Sequence, residues 1–160
     1  MSQPVDLRDV VRQTITVAAD RDLAFRVFTE QFGTWWPRQY SIGEAEMADF
    51  VLEPRAGGRW YEVGVDGSEC DIGRVTAFES PARVVLAWHL DGDWRFDPDP
   101  DHASEVEIRF VAEDGDRTRV ELEHRYFERH GAGAAAVRGA VESQGGWTWC
   151  LAAYVERLPA

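Results

Sequence analysis

The chain has 160 residues, a net charge of −12 and a pI near 4.7, and all 17 of its basic residues are Arg. One domain fits that length, burying roughly 70% of the unfolded chain's surface. The negative field disfavours nucleic acid and anionic membranes as partners, and the absence of Lys excludes Schiff-base and P-loop chemistry.

Residues 1–9 read as a flexible N-terminal arm, and residues 10–160 as a single domain. Residues 10–17 alternate and are rich in β-branched side chains, which predicts a strand. Asp20 suits an N-cap for a helix over 21–30, with Ala24, Phe25, Val27 and Phe28 as its apolar stripe. Gly33 is expected to break that helix, leaving a short turn at Thr34, Trp35 and Trp36 before Pro37. Strands are then expected over 48–53, 59–65, 71–79, 83–90, 104–111 and 118–126. Asp66-Gly67 reads as a two-residue hairpin loop and Asp114-Gly115 as a second turn. The acidic stretch 91–101 lacks the glycine and closing glutamate of a calcium loop, so it reads as a solvated gate, with Trp94 and Phe96 able to fold over an opening. Helices are expected over 132–142 and, past Gly145-Gly146, over 147–158, where Trp147, Leu151, Tyr154 and Leu158 recur at helical spacing. No run approaches the ~20 apolar residues of a membrane span and no secretory signal opens the chain. A cytoplasmic protein is expected. Cys70 and Cys150 are far apart and match no metal or redox motif, so two free thiols are expected.

The turns set a register. Trp60 falls opposite Gly73, and Gly73 opposite Trp88, with Val75, Ala77, Val84 and Leu86 on the same face. That row is either a cavity wall or ordinary core. Glu62 falls inward opposite Asp71, a carboxylate pair suited to proton transfer or a solvated strand end. On the last strand Val120, Leu122, His124 and Tyr126 share the apolar side. An inward His124 suits a general acid or base, or a hydrogen bond within the wall. No two histidines have metal-ligand spacing, and neither metal nor cofactor is expected.

Six strings in order resemble one known family: Val17-Ala18-Ala19, Gly57-Gly58-Arg59-Trp60, Gly73-Arg74-Val75, residues 80–88, residues 118–124, and Gly145-Gly146-Trp147. Their order is similar to that of the family named after activators of the heat-shock protein 90 ATPase, in the START-like or SRPBCC superfamily. The resemblance implies an α+β helix-grip fold, a curved antiparallel sheet wrapped around a long C-terminal helix. That superfamily includes lipid and sterol carriers, polyketide cyclases and chaperone co-factors. The expected function is binding of a hydrophobic, aromatic or acyl, small molecule between sheet and last helix, lined by Trp60, Trp88, Phe110, His124, Tyr126, Trp147, Leu151 and Tyr154. Two alternatives are a polyketide cyclase or dehydratase using His124, and a chaperone co-factor or interaction module. A homodimer is compatible with the sequence.

Overall fold

In the computed structural model residues 10–159 are described, so the arm expected over 1–9 lies outside the described residues. The alternating segment forms β1, Val11–Val17. Asp20 caps α1, Arg21–Glu30, its carboxylate accepting the Leu23 N–H at 2.8 Å and satisfying one of the free donors of the first turn. A one-turn helix α2, Phe32–Trp35, follows, and Gly33 lies inside it rather than ending its predecessor. Six strands come next: β2 (Met47–Leu52), β3 (Arg59–Gly64), β4 (Glu69–Glu79), β5 (Arg83–Trp88), β6 (Ser104–Glu113) and β7 (Arg117–Arg125).

All seven strands make one antiparallel sheet in the order β1-β7-β6-β5-β4-β3-β2. β1 sits at one edge and β2 at the other, so α1 and α2 must cross the concave face between them. The chain closes with α3, Ala134–Glu142, and α4, Trp149–Arg157. Between these helices Gly146 takes a ψ of −130°. A Cβ there would lie 2.1 Å from the Val141 carbonyl oxygen, so the kink needs glycine. The expected helix-grip architecture is present, with the C-terminal helix in two segments.

Register differs from expectation in instructive places. The β3–β4 loop has three residues, 65–67, closed by the Gly64 N–H on the Ser68 carbonyl, with Gly67 at φ +85°. A bulge at Ile72 then restores Trp60 opposite Gly73. Between the two irregularities Glu62 pairs with Cys70, while Asp71 pairs with Tyr61, so the expected Glu62–Asp71 carboxylate pair does not form. Asp71 instead binds Arg59 at 2.9 Å. A bulge at Thr76 likewise keeps Gly73 opposite Trp88 but replaces Ala77 by Phe78 on the inward face.

The core has two ends. At one, Phe25 meets Phe78 and Phe110 at 5.2 and 5.1 Å, and Phe28 meets Phe110 and Tyr154 at 5.7 and 5.3 Å. Towards the other end stand Trp36, Trp60, Trp88 and Trp147. Phe32 and Phe50 link the two, Phe32 lying 5.7 Å from Trp60. On the convex face Glu107, 6% exposed, binds Arg83 at 2.5 Å and Arg125 at 2.7 Å. Burial alone would raise its carboxyl. Hydrogen bonds from both arginines, and the nearby charges of Arg125 and Arg109, outweigh burial and hold it at about 2.

Gly73 joins β3 to β5 across β4. A Cβ there would stand 2.0 Å from the Ala87 carbonyl oxygen and 3.0 Å from the Trp60 ring. Gly73→Ala is expected to cost about 3 kcal/mol, because backbone rather than a flexible side chain must give way. Urea denaturation checks this; a midpoint equal to that of the unmodified chain would contradict it.

Candidate functional site

A cavity of about 620 Å³ lies at the tryptophan end. That volume is ordinary for a small-molecule site. Trp88 and Leu90 form its sheet side, and Trp36, Tyr40 and Ile42 its second side. Across from them the helical segment contributes Ala140, Val141, Ser143, Gly145, Gly146, Trp147 and Cys150. Asp93 and Trp94 stand at the rim, both exposed. Trp94 has a φ of +62°, uncommon for a bulky side chain. Its turn is held by the Asp91 carboxylate, which accepts the N–H groups of Asp93 and Arg95 at 2.8 and 3.0 Å. Around Trp147 and Val141 the helical segment presents small residues here, whereas further along it presents Leu151, Tyr154 and Leu158, all buried.

Behind the wall lies a buried polar chain. The Trp147 indole donates to His124 Nδ1 at 3.1 Å. Ser104 Oγ sits 2.8 Å from His124 Nε2 and 2.8 Å from His130 Nε2. An indole N–H only donates, so Nδ1 of His124 must accept and the ring proton lies on Nε2. That proton goes to Ser104 Oγ, whose own proton goes to His130. His124 is fully buried, and both its nitrogens are engaged by protein.

Glu62 shapes the second rim. It is 2% exposed and accepts Ser41 Oγ at 2.5 Å, the Ile42 N–H at 2.9 Å and the Gly43 N–H at 3.0 Å. Those bonds pin the segment carrying Ser41 and Ile42 against the cavity.

With this geometry in place the comparisons are informative. The family model described as activator of Hsp90 ATPase homolog 1-like protein matches residues 18–158. The chain belongs to that family. None of the curated proteins matches it. Among solved structures it is similar to Txn09, an anthrahydroquino-γ-pyrone synthase, at 38% identity over 93% of this chain and 96% of that one, with a TM-score of 0.66. It is also similar to CalC from Micromonospora echinospora, a self-sacrificing resistance protein, at 34% identity over 92% of each chain and a TM-score of 0.68. Protein NE0264 from Nitrosomonas europaea shares the fold, with 15% identity over 98% of this chain and 96% of that one and a TM-score of 0.62.

In this member of the Hsp90 ATPase activator homolog 1-like family, two of the eight expected lining residues, Trp88 and Trp147, face the cavity. Trp60 lies behind Trp88, their rings 5.9 Å apart. Phe110 and Leu151 are buried in the solid end of the core, and His124 lies behind Trp147. Tyr154 is also core: its hydroxyl donates to the Ala24 carbonyl at 2.7 Å, tying α4 to α1, and burial pushes its phenol up. Tyr126 was expected inward, but β7 ends at Arg125 and Tyr126 takes a left-handed φ of +67°. Its ring turns outward beneath Arg129, 4.3 Å away, and Phe127 is buried in its place. Phe96, expected near the mouth, stacks on His89 at 5.4 Å. Trp36, Tyr40 and Ile42 escaped the sequence reading because they lie outside any periodic segment. Ser104 carried a usable signal: Val106 pairs with His124, so Ser104 begins the neighbouring strand close to that ring. No group of three or more metal-binding side chains occurs among the described residues, and both cysteines are free. No helix among the described residues is long and apolar enough to cross a membrane.

Burial, and secondarily the charge of His130, push His124 well below its usual 6.5. Protonation would also set two donors face to face at Trp147. The unfolded chain accepts below about 6.5 a proton that the folded chain refuses. Stability is therefore complete above that pH and is lost as pH falls below it, by up to about 1.4 kcal/mol per pH unit from this one group. Urea denaturation from pH 5 to 8 should show that acid-side slope, to which buried His89 and half-buried His130 add, and His124→Gln should make it shallower; an unchanged slope would contradict the assignment.

Proposed function

We propose that the chain binds a planar aromatic small molecule in the cavity under the kinked C-terminal helix. The observation that carries this reading is the ring arrangement around the 620 Å³ hollow. Trp36, Trp88, Trp94, Trp147 and Tyr40 all line it, and the other helical residues beside Trp147, namely Ala140, Ser143, Gly145, Gly146 and Cys150, are small. Indole faces and edges stack on flat ring systems, and apolar burial contributes roughly 25 cal/mol per Å². The likeness to Txn09, named as an anthrahydroquino-γ-pyrone synthase, supports the same class of ligand.

A ring-closing enzyme is the second reading, favoured by the 38% identity to that synthase. With both ring nitrogens engaged, His124 acts in it as a positioning residue, through Trp147. Docking on a chaperone or a second copy has less support, because the large exposed hydrophobics away from the cavity are spread over three parts of the fold: Val65 in a turn, Tyr126 after β7, Trp149 and Val155 on α4.

The test is titration of 9-anthracenemethanol while following tryptophan emission. Saturable quenching is expected, and Ala140→Trp, which fills the hollow, should weaken binding by at least about tenfold. Absence of saturable quenching by this probe and by other flat aromatics would defeat the reading. For the enzymatic reading, His124→Gln should weaken binding and turnover together; turnover lost with binding intact would return His124 to acid–base duty.

A further inference from the structure

Resting on the aromatic-ligand reading above, we propose that the cavity selects a ligand carrying a protonated amine at the mouth, beside Asp93. An acyl carboxylate is rejected.

Three hydroxyls line the cavity, and each has its proton committed to protein. Tyr40 donates to the Gly145 carbonyl. Ser41 Oγ donates to Glu62 Oε2 at 2.5 Å, and Ser143 Oγ to the Ala140 carbonyl at 2.7 Å. A hydroxyl carries one proton and two lone pairs, so these three meet a ligand as acceptors. The Ser41 arrangement is locked from behind, because Glu62 is also held by two backbone N–H groups.

The charged groups point the same way. No Arg or His is among the residues lining the cavity, and the chain has no Lys. The remaining donors, among them the Gln39 amide and the buried, unpartnered Trp88 indole N–H, are neutral and leave an anion's charge uncompensated. Asp93 is the one ionisable carboxylate among the lining residues. Its carboxylate has no ion-pair partner among the described residues. Its neighbours in the loop are occupied, Asp91 by two backbone N–H groups and Asp97 by His102 at 2.8 Å.

The rings complete the case. They form an unbroken arc: Tyr40 to Trp36 at 6.3 Å, Trp36 to Trp147 at 5.9 Å, Trp147 to Trp88 at 5.9 Å, and Trp88 to Trp94 at 6.4 Å. Indole faces attract cations through their quadrupole, more strongly where water is excluded. Asp93 and Trp94 are adjacent in sequence at the rim, so an ammonium placed there meets a carboxylate and an indole together. A net charge of −12 draws cations towards the protein from further away.

Three probes sharing one ring system separate these effects: 9-(aminomethyl)anthracene, 9-anthracenemethanol and anthracene-9-carboxylate. They are titrated at an ionic strength of about 0.15 M, where the Debye length of about 8 Å suppresses the distant field. The amine is expected to bind at least about tenfold tighter than the alcohol, and the carboxylate at least about tenfold weaker. Asp93→Asn should lower the amine-to-alcohol ratio severalfold, leaving only the share that the indole faces supply. An alcohol or carboxylate that matches the amine overturns the inference while leaving aromatic binding standing. An amine advantage that Asp93→Asn leaves undiminished also overturns it. Failure of all three probes to bind defeats the aromatic-binding reading itself, and this inference with it.

Discussion

An indole nitrogen has a proton to give and nothing to accept with, and in this fold Trp147 gives its proton to His124. That constraint places the His124 proton on Nε2, directs it to Ser104, and turns the Ser104 hydroxyl towards His130. It also fixes the indole plane on which the cavity is built, since Trp147 lies edge-to-face with both Trp36 and Trp88. A buried hydrogen bond of this kind contributes about 1 kcal/mol net. Its loss costs more, because the stranded partners stay out of water. The cavity wall and the depressed basicity of buried His124 therefore meet at one hydrogen bond.

The hollow follows from a volume mismatch along a single helical face. Where α4 faces α1 and α2, Tyr154 meets Phe28 and Trp35, Leu151 is buried beside it, and the space is packed solid. Where the chain kinks at Gly146, Trp147 reaches Trp88 on the sheet, but its neighbours Ala140, Ser143, Gly145 and Cys150 are small. Cys150 is buried there, and burial pushes its thiol up to about 12, so it stays protonated and unreactive. Gly146 permits the kink and withholds volume together, which couples the change of helix direction to the presence of the cavity.

The convex face serves a different purpose. Arg83, Arg109 and Arg125 surround Glu107, and Arg125 also binds Glu105 and Glu123. Arginine suits such ladders because its planar fork serves more than one carboxylate. These pairs hold a charged, solvated outer surface and leave the apolar face to the helices, as expected for an antiparallel sheet covered on one side.

Local periodicity and end chemistry determined a great deal on their own. The Asp20 cap, the strand alternation, the inward faces of Glu62 and His124, and the buried stripe Trp147, Leu151, Tyr154 and Leu158 all follow from patterns of two or 3.6 residues. The family strings were legible for the same reason, being tied to those elements. Only the tertiary structure decided which part of the inward face is open. Trp88 and Phe110 look alike in sequence, yet one lines a cavity and the other lies in solid core, because that depends on side-chain volumes arriving from elements far apart in the chain. Bulges at Ile72 and Thr76 and the left-handed turn at Tyr126 likewise reassign faces through single backbone angles that no hydropathy pattern encodes.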